Sequence, residues 1–171
     1  ASKILADAIA KEGNWVQAYP EFGVERRGSP VVAFLRIDDK QIFDKSRIYT
    51  PDHVVVVDPT LVEAIDITDG LKPGGTIIIN TACKPEDAAI SGDFDVAVVD
   101  ATGIALKLRL TKEGAPVINT PLLGAFAKAT GIVSLENVEK ALRSKLPATV
   151  AAQNFETVQA AFEGTIVKRK A

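Results

Sequence analysis

Two adjacent arginines, Arg26 and Arg27, are the residues whose type and spacing most favour chemistry in this sequence. They follow Glu25 and lie between Gly23 and Gly28. Glycine lets a backbone approach another molecule closely. A guanidinium group binds a phosphate or carboxylate with two hydrogen bonds, or anchors a protein interface. The loop therefore predicts a ligand contact or a subunit contact.

The alternative for this loop is a charged segment that faces only water. Three apolar or aromatic residues lie around the charges, namely Tyr19, Phe22 and Pro30. Such residues are unusual company for a purely solvated loop, which favours contact with a ligand or a protein over the alternative.

A second group of polar residues follows the predicted strands. If these strands form a parallel sheet, their carboxyl ends meet at one edge, where ligands usually bind in open α/β sheets. The residues at this edge are Asp58, Asn80, Thr81, Asp100, Thr102, Asn119 and Thr120. Asp58 also suits a helix cap, and Asp100 and Thr102 can satisfy backbone amides. The group indicates a candidate ligand-facing edge and no mechanism.

The sequence offers no convincing pair of nucleophile and base. His53, the only histidine, precedes an apolar strand at the end opposite this edge, and Cys83 is the only cysteine. One residue of each type excludes a zinc site or an iron–sulfur cluster held by this chain alone. Gly74 and Gly75 precede a strand, and neither a P-loop nor a GxGxxG turn is present. Autonomous catalysis is disfavoured.

Short apolar runs predict the strands that would position these residues. Four nearly unbroken runs cover 31–37, 54–57, 76–79 and 96–99. Strands that are apolar on both faces are typical of a parallel sheet covered by helices. Residues 15–19 form a more amphipathic fifth candidate, and 117–118 a possible sixth.

Helical spacing alternates with these strands. Apolar residues recur every three or four positions in two series: Leu135, Val138, Leu142 and Leu146, then Ala151, Phe155, Val158 and Phe162. Asp58 and Pro59 predict that a helix begins directly after the second run and continues through Ala64. The alternation predicts an α/β fold. The last charged residues, 168–170, read as a solvated tail.

The sequence opens inside a helical pattern formed by residues 4–9. A Rossmann-like domain normally begins one strand and one glycine-rich turn earlier. We therefore expect this N-terminal strand and turn to be missing from the sequence, and the natural N-terminus to be absent.

Composition sets the broad class of protein. The chain has 171 residues, 47% of them hydrophobic, and a formal net charge of -2. This length and hydrophobicity predict one domain over 1–171, and the charge disfavours bulk binding to nucleic acid or anionic membranes. No apolar run approaches the ~20 residues that cross a bilayer. We expect a cytoplasmic location.

Several segments together carry a family resemblance. They are FGVERRGSPVVAFLRID, YTPDHVVVVDPTLVE, LKPGGTIIINT and NTPLLGAFAKATGIVSLENVEKALRSKL. In this order, from about Ser2 to Phe162, they resemble the gamma subunit, or gamma domain, of the pyruvate and 2-oxoacid:ferredoxin oxidoreductases. The first segment is the most specific of them.

The resemblance implies a Rossmann-like subunit of an enzyme that oxidatively decarboxylates a 2-oxoacid, transfers the acyl group to coenzyme A and reduces ferredoxin. It implies alpha, beta and delta subunits as partners. Thiamine diphosphate, Mg²⁺ and the iron–sulfur clusters would be held by those partners, and coenzyme A would be a co-substrate.

The resemblance also implies where a site lies on this chain. The residues that would face coenzyme A and substrate, or a subunit interface, are Gly23, Glu25, Arg26, Arg27, Gly28, Asn119 and Thr120. Leu123 and Gly124 belong to the same second motif. The family's glycine-rich turn before the first helix is not present here, so no contact through it is assigned.

Two other functions remain open from the residues. One is a free-standing Rossmann-type enzyme that binds a nucleotide or coenzyme A, with Asp58 or Asp100 at the edge of the sheet. The other is a purely structural adaptor. Saturable binding of NAD or NADP with activity would favour the first of these, and complex formation without any effect of the loop on ligand affinity would favour the second.

Overall fold

A four-stranded sheet forms the centre of the fold, which a computed structural model describes for residues 1–21 and 31–170, apart from the side chain of Glu21. The elements in chain order are α1 (Ser2–Ala10), β1 (Trp15–Glu21), β2 (Val32–Asp38), β3 (His53–Val56), α2 (Leu61–Ala64), β4 (Thr76–Asn80), a 3-10 turn (Pro85–Asp87), β5 (Asp95–Val99), α3 (Ala101–Lys107), β6 (Thr111–Lys112), β7 (Ala115–Pro116), α4 (Pro121–Thr130), α5 (Leu135–Lys145), α6 (Ala148–Gly164) and β8 (Ile166–Lys168). Strands β3, β4 and β5 are parallel neighbours, and β8 pairs with β5 in the antiparallel direction. The predicted α/β, Rossmann-like fold with a mostly parallel sheet is confirmed.

Strand β4 is buried along its whole length because layers cover both of its faces. Its side chains alternate, so that Ile78 packs into the helical core beside Ala97 of β5. Ile77 and Ile79 point to the other face and pack with Val98. This two-sided burial is why the strand reads as an unbroken apolar run.

The two faces of the sheet are covered differently. Helices α1, α4, α5 and α6 build the core on one face. The opposite face is covered by the short helix α2 and by loops, through residues such as Leu61, Leu71 and Phe94. The two helical series predicted from spacing are confirmed as α5 and α6, except that Leu146 follows the last residue of α5 in extended conformation; Val138, Leu142 and Val158 are fully buried.

Helices α4 and α6 cross at very close range. A Cβ atom at Gly124 would overlap the backbone carbonyl of Val158 and approach the backbone nitrogen of Phe162 to 3.0 Å. Backbones can come this close only where no side chain intervenes. Gly124 and its fully buried neighbour Leu123 therefore have packing roles in the second motif.

The first predicted strand is present as β2, but the prediction that it belongs to the parallel sheet is wrong. β2 pairs with β1 in a separate antiparallel hairpin, from Trp15 opposite Asp38 to Glu21 opposite Val32. Only one face of this hairpin reaches the core, through Val16, Leu35 and Ile37. The apolar run predicted a central strand because the outer face of β2 also carries large apolar side chains. These side chains do not enter the core.

Two local predictions are also corrected. The helix expected directly after Asp58 begins only at Leu61, because Asp58 closes a turn by accepting bonds from the Thr60 N–H and hydroxyl. Residues 117–118 do not form a strand; the short hairpin β6–β7 ends at Pro116, and the Val117 N–H adds one more bond, to the Leu110 carbonyl at 2.9 Å.

The C-terminal residues are not a solvated tail, contrary to the prediction. β8 extends the central sheet beside β5. Arg169 then donates to the Asp95 carboxylate at 2.6 Å and to the carbonyl of Ala129 at 2.8 Å, and the Lys170 N–H donates to Asp95 at 2.9 Å. These bonds join the beginning of β5 to the end of α4.

No helix among the described residues is long and apolar enough to pass through a bilayer.

Candidate functional site

The arginine loop lies outside the described residues. Gly23, Glu25, Arg26, Arg27 and Gly28 all fall within 22–30, so their role stays a prediction. The strands on either side of this segment are paired up to Glu21 and Val32. The site can therefore be examined at the carboxyl edge of the sheet, where Asn119 and Thr120 were expected.

Asn80, the last residue of the central strand β4, holds this edge together. Its side chain is buried, and its Nδ2 donates to the Val57 carbonyl and to the Thr102 hydroxyl, both at 3.0 Å. Its Oδ1 accepts from the Thr102 N–H at 3.3 Å. Asn80 thus bonds the chain after β3 to the beginning of α3, and its hydrogen-bonding groups are used within the fold.

Asp100 has a similarly local role. Its Oδ1 accepts a 2.7 Å hydrogen bond from the Gly103 N–H and so caps helix α3. A side chain at Gly103 would collide with the Asp100 carboxylate, which explains a glycine inside the first turn. Thr81 accepts from the Cys83 N–H at 3.2 Å. These polar groups satisfy nearby backbone donors.

Asp58 is exposed and bonds to Thr60 at 2.7 Å through the hydroxyl and at 3.0 Å through the N–H. Hydrogen bonds from the Thr60 hydroxyl and N–H hold the pKa of the Asp58 carboxyl below its ordinary value. An ionised carboxylate already bonded to its own turn is a weak candidate for acid–base catalysis.

Asn119 and Thr120 directly precede helix α4. Arg169 bonds to Asp95, the first residue of β5, and to the carbonyl of Ala129, near the end of this helix. The end of α4 therefore lies at the amino edge of the sheet. The helix has 10 residues and β5 has 5, which correspond to about 15 Å and about 17 Å. Helix and strand are thus of similar length, and the place of Asn119 and Thr120 at the carboxyl edge stays a prediction.

Asn119 and Thr120 differ from the polar residues that follow the strands. Thr120 is 5% exposed and its side chain makes no capping hydrogen bond, while Asn119 is exposed. Pro121 follows at the first helical position, where it has no N–H to donate. The beginning of a helix carries partial positive charge from its free N–H groups, so this point is suited to a negatively charged group.

His53 lies at the opposite edge, as expected. Its ring meets Phe126 edge-on at 6.0 Å, and its Nδ1 is buried without a hydrogen-bond partner. Burial lowers the pKa of this imidazole, with a smaller opposing effect of Asp52. Cys83 is exposed. Within the described ranges, no group of three or more His, Cys, Asp or Glu side chains could hold a metal ion.

The sequence profile of one protein family covers most of the chain. Residues 1–164 match the pyruvate ferredoxin/flavodoxin oxidoreductase family. The chain belongs to this family.

Relatives in the family are gamma-type subunits. The chain is 48% identical to the pyruvate/ketoisovalerate oxidoreductases common subunit gamma of Thermococcus kodakarensis, over 98% of this chain and 90% of the relative. It is 42% identical to the pyruvate synthase subunit PorC of Methanocaldococcus jannaschii, with the same coverage.

A solved structure of the family has the same fold. The pyruvate oxidoreductase subunit PORC of Thermotoga maritima superposes with a TM-score of 0.81 at 35% identity, over 98% of this chain and 89% of that one. The resemblance inferred from the sequence motifs is confirmed, and the chain is a gamma-type member of the pyruvate ferredoxin/flavodoxin oxidoreductase family.

Proposed function

We propose that this chain works as the gamma subunit of a 2-oxoacid:ferredoxin oxidoreductase and does not turn over by itself. The complex converts a 2-oxoacid, coenzyme A and oxidised ferredoxin into acyl-coenzyme A, CO2 and reduced ferredoxin. The observation that carries this proposal is the match to gamma and PorC subunits along 98% of the chain.

Partner subunits of the alpha, beta and delta types hold the thiamine diphosphate, Mg²⁺ and iron–sulfur clusters of this complex. Two features of the chain support this division of labour. A [4Fe–4S] cluster takes four cysteine thiolates, and the chain has one cysteine. The polar side chains of the carboxyl edge, such as those of Asn80 and Asp100, bond to backbone groups of this same chain.

Asn119 and Thr120 contact coenzyme A or substrate, or the subunit that holds them, at the beginning of α4. Phosphates and carboxylates are the groups that helix N-termini favour, and coenzyme A and 2-oxoacids carry both. Arg26 and Arg27, with Gly23, Glu25 and Gly28 around them, supply a second contact of the same kind.

Assembly tests the subunit assignment. The chain is co-expressed with its genomic neighbours and applied to size-exclusion chromatography. We expect it to elute within a larger, brown complex that needs thiamine diphosphate for turnover, whereas the isolated chain is inactive. An isolated chain that binds NAD, NADP or coenzyme A saturably and turns over substrate would support the free-standing enzyme instead.

The coenzyme A contact is tested in the assembled enzyme with two variants and matched controls. Thr120→Val keeps the shape of the side chain and removes its hydroxyl, with Thr111→Val on exposed strand β6 as control. Arg26→Ala combined with Arg27→Ala is compared with Lys107→Ala combined with Lys112→Ala, two exposed cations elsewhere.

We expect the Michaelis constant for coenzyme A to rise about tenfold when a charge-assisted contact is lost and less for the threonine hydroxyl. The controls should stay within about twofold of the wild-type enzyme. Unchanged constants and unchanged assembly in both test variants would remove these residues from the site and leave the subunit assignment intact.

A further inference from the structure

The β1–β2 hairpin has an outer face that does not enter the core. Side chains alternate along each strand, and Val16, Leu35 and Ile37 point inward. The residues that point the other way are Trp15, Gln17 and Tyr19 on β1 and Val32, Phe34 and Arg36 on β2. This outer face is rich in aromatic and apolar side chains.

Residues 39–50, here called the strap, cross this outer face. Arg36 donates to the carbonyl of Asp44 at 2.8 Å and to that of Ser46 at 3.2 Å, and the Tyr19 hydroxyl donates to the same Ser46 carbonyl. The Ser46 N–H in turn donates to the Asp44 carboxylate at 2.8 Å. Side chains of both strands thus bind the backbone of the strap.

Ring contacts add a second attachment of the strap. The Arg47 guanidinium lies 5.8 Å from the ring centroid of Phe34 and 5.8 Å from that of Tyr49. Tyr19 and Phe34 are themselves 5.5 Å apart across the strands. The strap is therefore held in one arrangement before any partner binds, which lowers the entropic cost of binding.

Exposed aromatic side chains concentrate on this unit. Among the described residues, the aromatic side chains that are at least half exposed are Trp15 at 51%, Tyr49 at 72% and Phe43 at 79%. Since a fully buried aromatic residue removes about 150–250 Å² from water, these three present roughly 400 Å². A typical stable interface takes about 800 Å² from each partner, so the three rings would supply about half of it.

We propose that the outer face of the hairpin, together with the strap, binds another subunit of the same oxidoreductase through burial of Trp15, Phe43 and Tyr49. The inference rests on the proposed function, because a gamma subunit must contact a partner subunit.

Charge indicates the chemistry of the partner's surface. The charged side chains described on the outer face and the strap nearly balance: Asp38, Asp39 and Asp44 against Arg36, Lys40, Lys45 and Arg47. A surface with a net charge this small does not select a strongly charged partner. The partner surface is therefore apolar at its centre with neutral or mixed polar groups around it.

The test uses the co-purified complex and two double variants of this chain. Phe43→Ser with Tyr49→Ser removes two exposed rings of the proposed surface. Ile65→Ser with Leu106→Ser is the matched control, because these side chains are 46% and 54% exposed elsewhere on the chain. Circular dichroism melting of each isolated variant establishes that it folds.

We expect the Phe43 and Tyr49 variant to bind the remaining subunits at least about tenfold more weakly than wild type, as for aromatic hot-spot residues. The control should stay within about twofold of wild type. Raising the salt concentration from 50 to 500 mM should change the wild-type dissociation constant by less than about threefold.

Three outcomes would overturn the inference. In the first, both double variants bind like wild type while wild type co-elutes with its partners, which leaves the subunit assignment standing. In the second, the isolated chain self-associates through Phe43 and Tyr49 while assembly with the other subunits is unaffected. In the third, association weakens more than about tenfold with salt, as for a charged interface. A wild-type chain that fails to co-elute would instead contradict the proposed function itself.

Discussion

The carboxyl edge of the sheet and the outer face of the hairpin both gather side chains that could bind another molecule, but they use them differently. At the edge, Asn80 and Asp100 bond to the backbone of neighbouring elements. On the hairpin, Arg36 and Tyr19 hold the strap while Phe43 and Tyr49 stay exposed. Satisfied polar groups mark structural positions, and exposed aromatic groups mark a surface that can bind a partner.

The largest effect is expected in the helical layer that carries Asn119 and Thr120. Gly124→Ala places a Cβ atom against the Val158 carbonyl, which should lower the free energy of unfolding by about 2–3 kcal/mol. Urea denaturation monitored by circular dichroism measures this change.

Gly164→Ala is the matched control for that substitution, because nothing lies within 4 Å of a Cβ at Gly164. We expect its free energy of unfolding to stay within about 0.5 kcal/mol of wild type. Equal effects of the two substitutions would contradict the close crossing of α4 and α6.

Asn80→Ala should have the next largest effect. It leaves the Val57 carbonyl and Thr102 without their partner at the centre of the edge, at a cost of about 1–3 kcal/mol. Thr81→Ala, which removes one local bond to the Cys83 N–H, should cost less than about 1 kcal/mol. If the two substitutions destabilise equally, Asn80 is not what holds the edge together.

Releasing the strap should change local order more than global stability. Tyr19→Phe removes the hydroxyl that donates to Ser46, so the free energy of unfolding should change by less than about 1 kcal/mol. Hydrogen exchange should quicken at amides of residues 41–48 and stay slow at Ile78. Uniform quickening across both regions would mean that the strap and the sheet open together.

The smallest effect concerns the pH dependence of stability. Because burial lowers the pKa of His53 in the folded chain, the unfolded chain binds more protons, and stability rises with pH in this range. The stability of the fold with a neutral His53 is fully present above the unfolded pKa of about 6.5. It is reduced as the pH falls through the lower folded pKa, where the imidazole takes up a proton.

His53→Phe provides the comparison for this effect. The stability difference between wild type and this variant, measured by urea denaturation at several pH values from 8 to 5, should shift against wild type below about pH 6.5. A difference that is independent of pH would show that the imidazole titrates alike in both states.

The central strands could be predicted from the sequence because both of their faces are buried by other parts of the chain. β4 and β5 are covered on both faces, so their apolar runs correspond directly to buried strands. β2 has the same kind of run, yet its outer face is covered by the strap. A run of apolar residues does not say whether a core or a loop lies against its second face.

The role of the C-terminal residues could not be predicted from their local sequence either. Lys168, Arg169 and Lys170 look like a charged tail, but β8 pairs with β5, and Arg169 bonds to Asp95, which is 74 positions away. Burial would raise the pKa of Asp95, but hydrogen bonds from Arg169 and from the Lys170 N–H lower it overall. Only the folded chain brings these partners together.

The candidate site was predictable in part. The alternation of strands and helices places polar residues at one edge, and the structure bonds Asn80 to Thr102 and to the Val57 carbonyl at that edge. Sequence alone could not separate Asn80 and Asp100, whose side chains serve the fold, from Thr120, whose side chain makes no cap. The strap escaped prediction because its bonds join side chains to distant backbone carbonyls.

Omission and add-back of this chain shows whether the oxidoreductase needs it as a subunit. A complex of the other subunits purified without it is assayed for 2-oxoacid- and coenzyme A-dependent ferredoxin reduction, before and after stoichiometric addition of the purified chain. We expect little activity before addition, a large increase after it, and no activity of the chain alone. Full activity without the chain, or turnover by the isolated chain, would mean that the chain is not a required subunit.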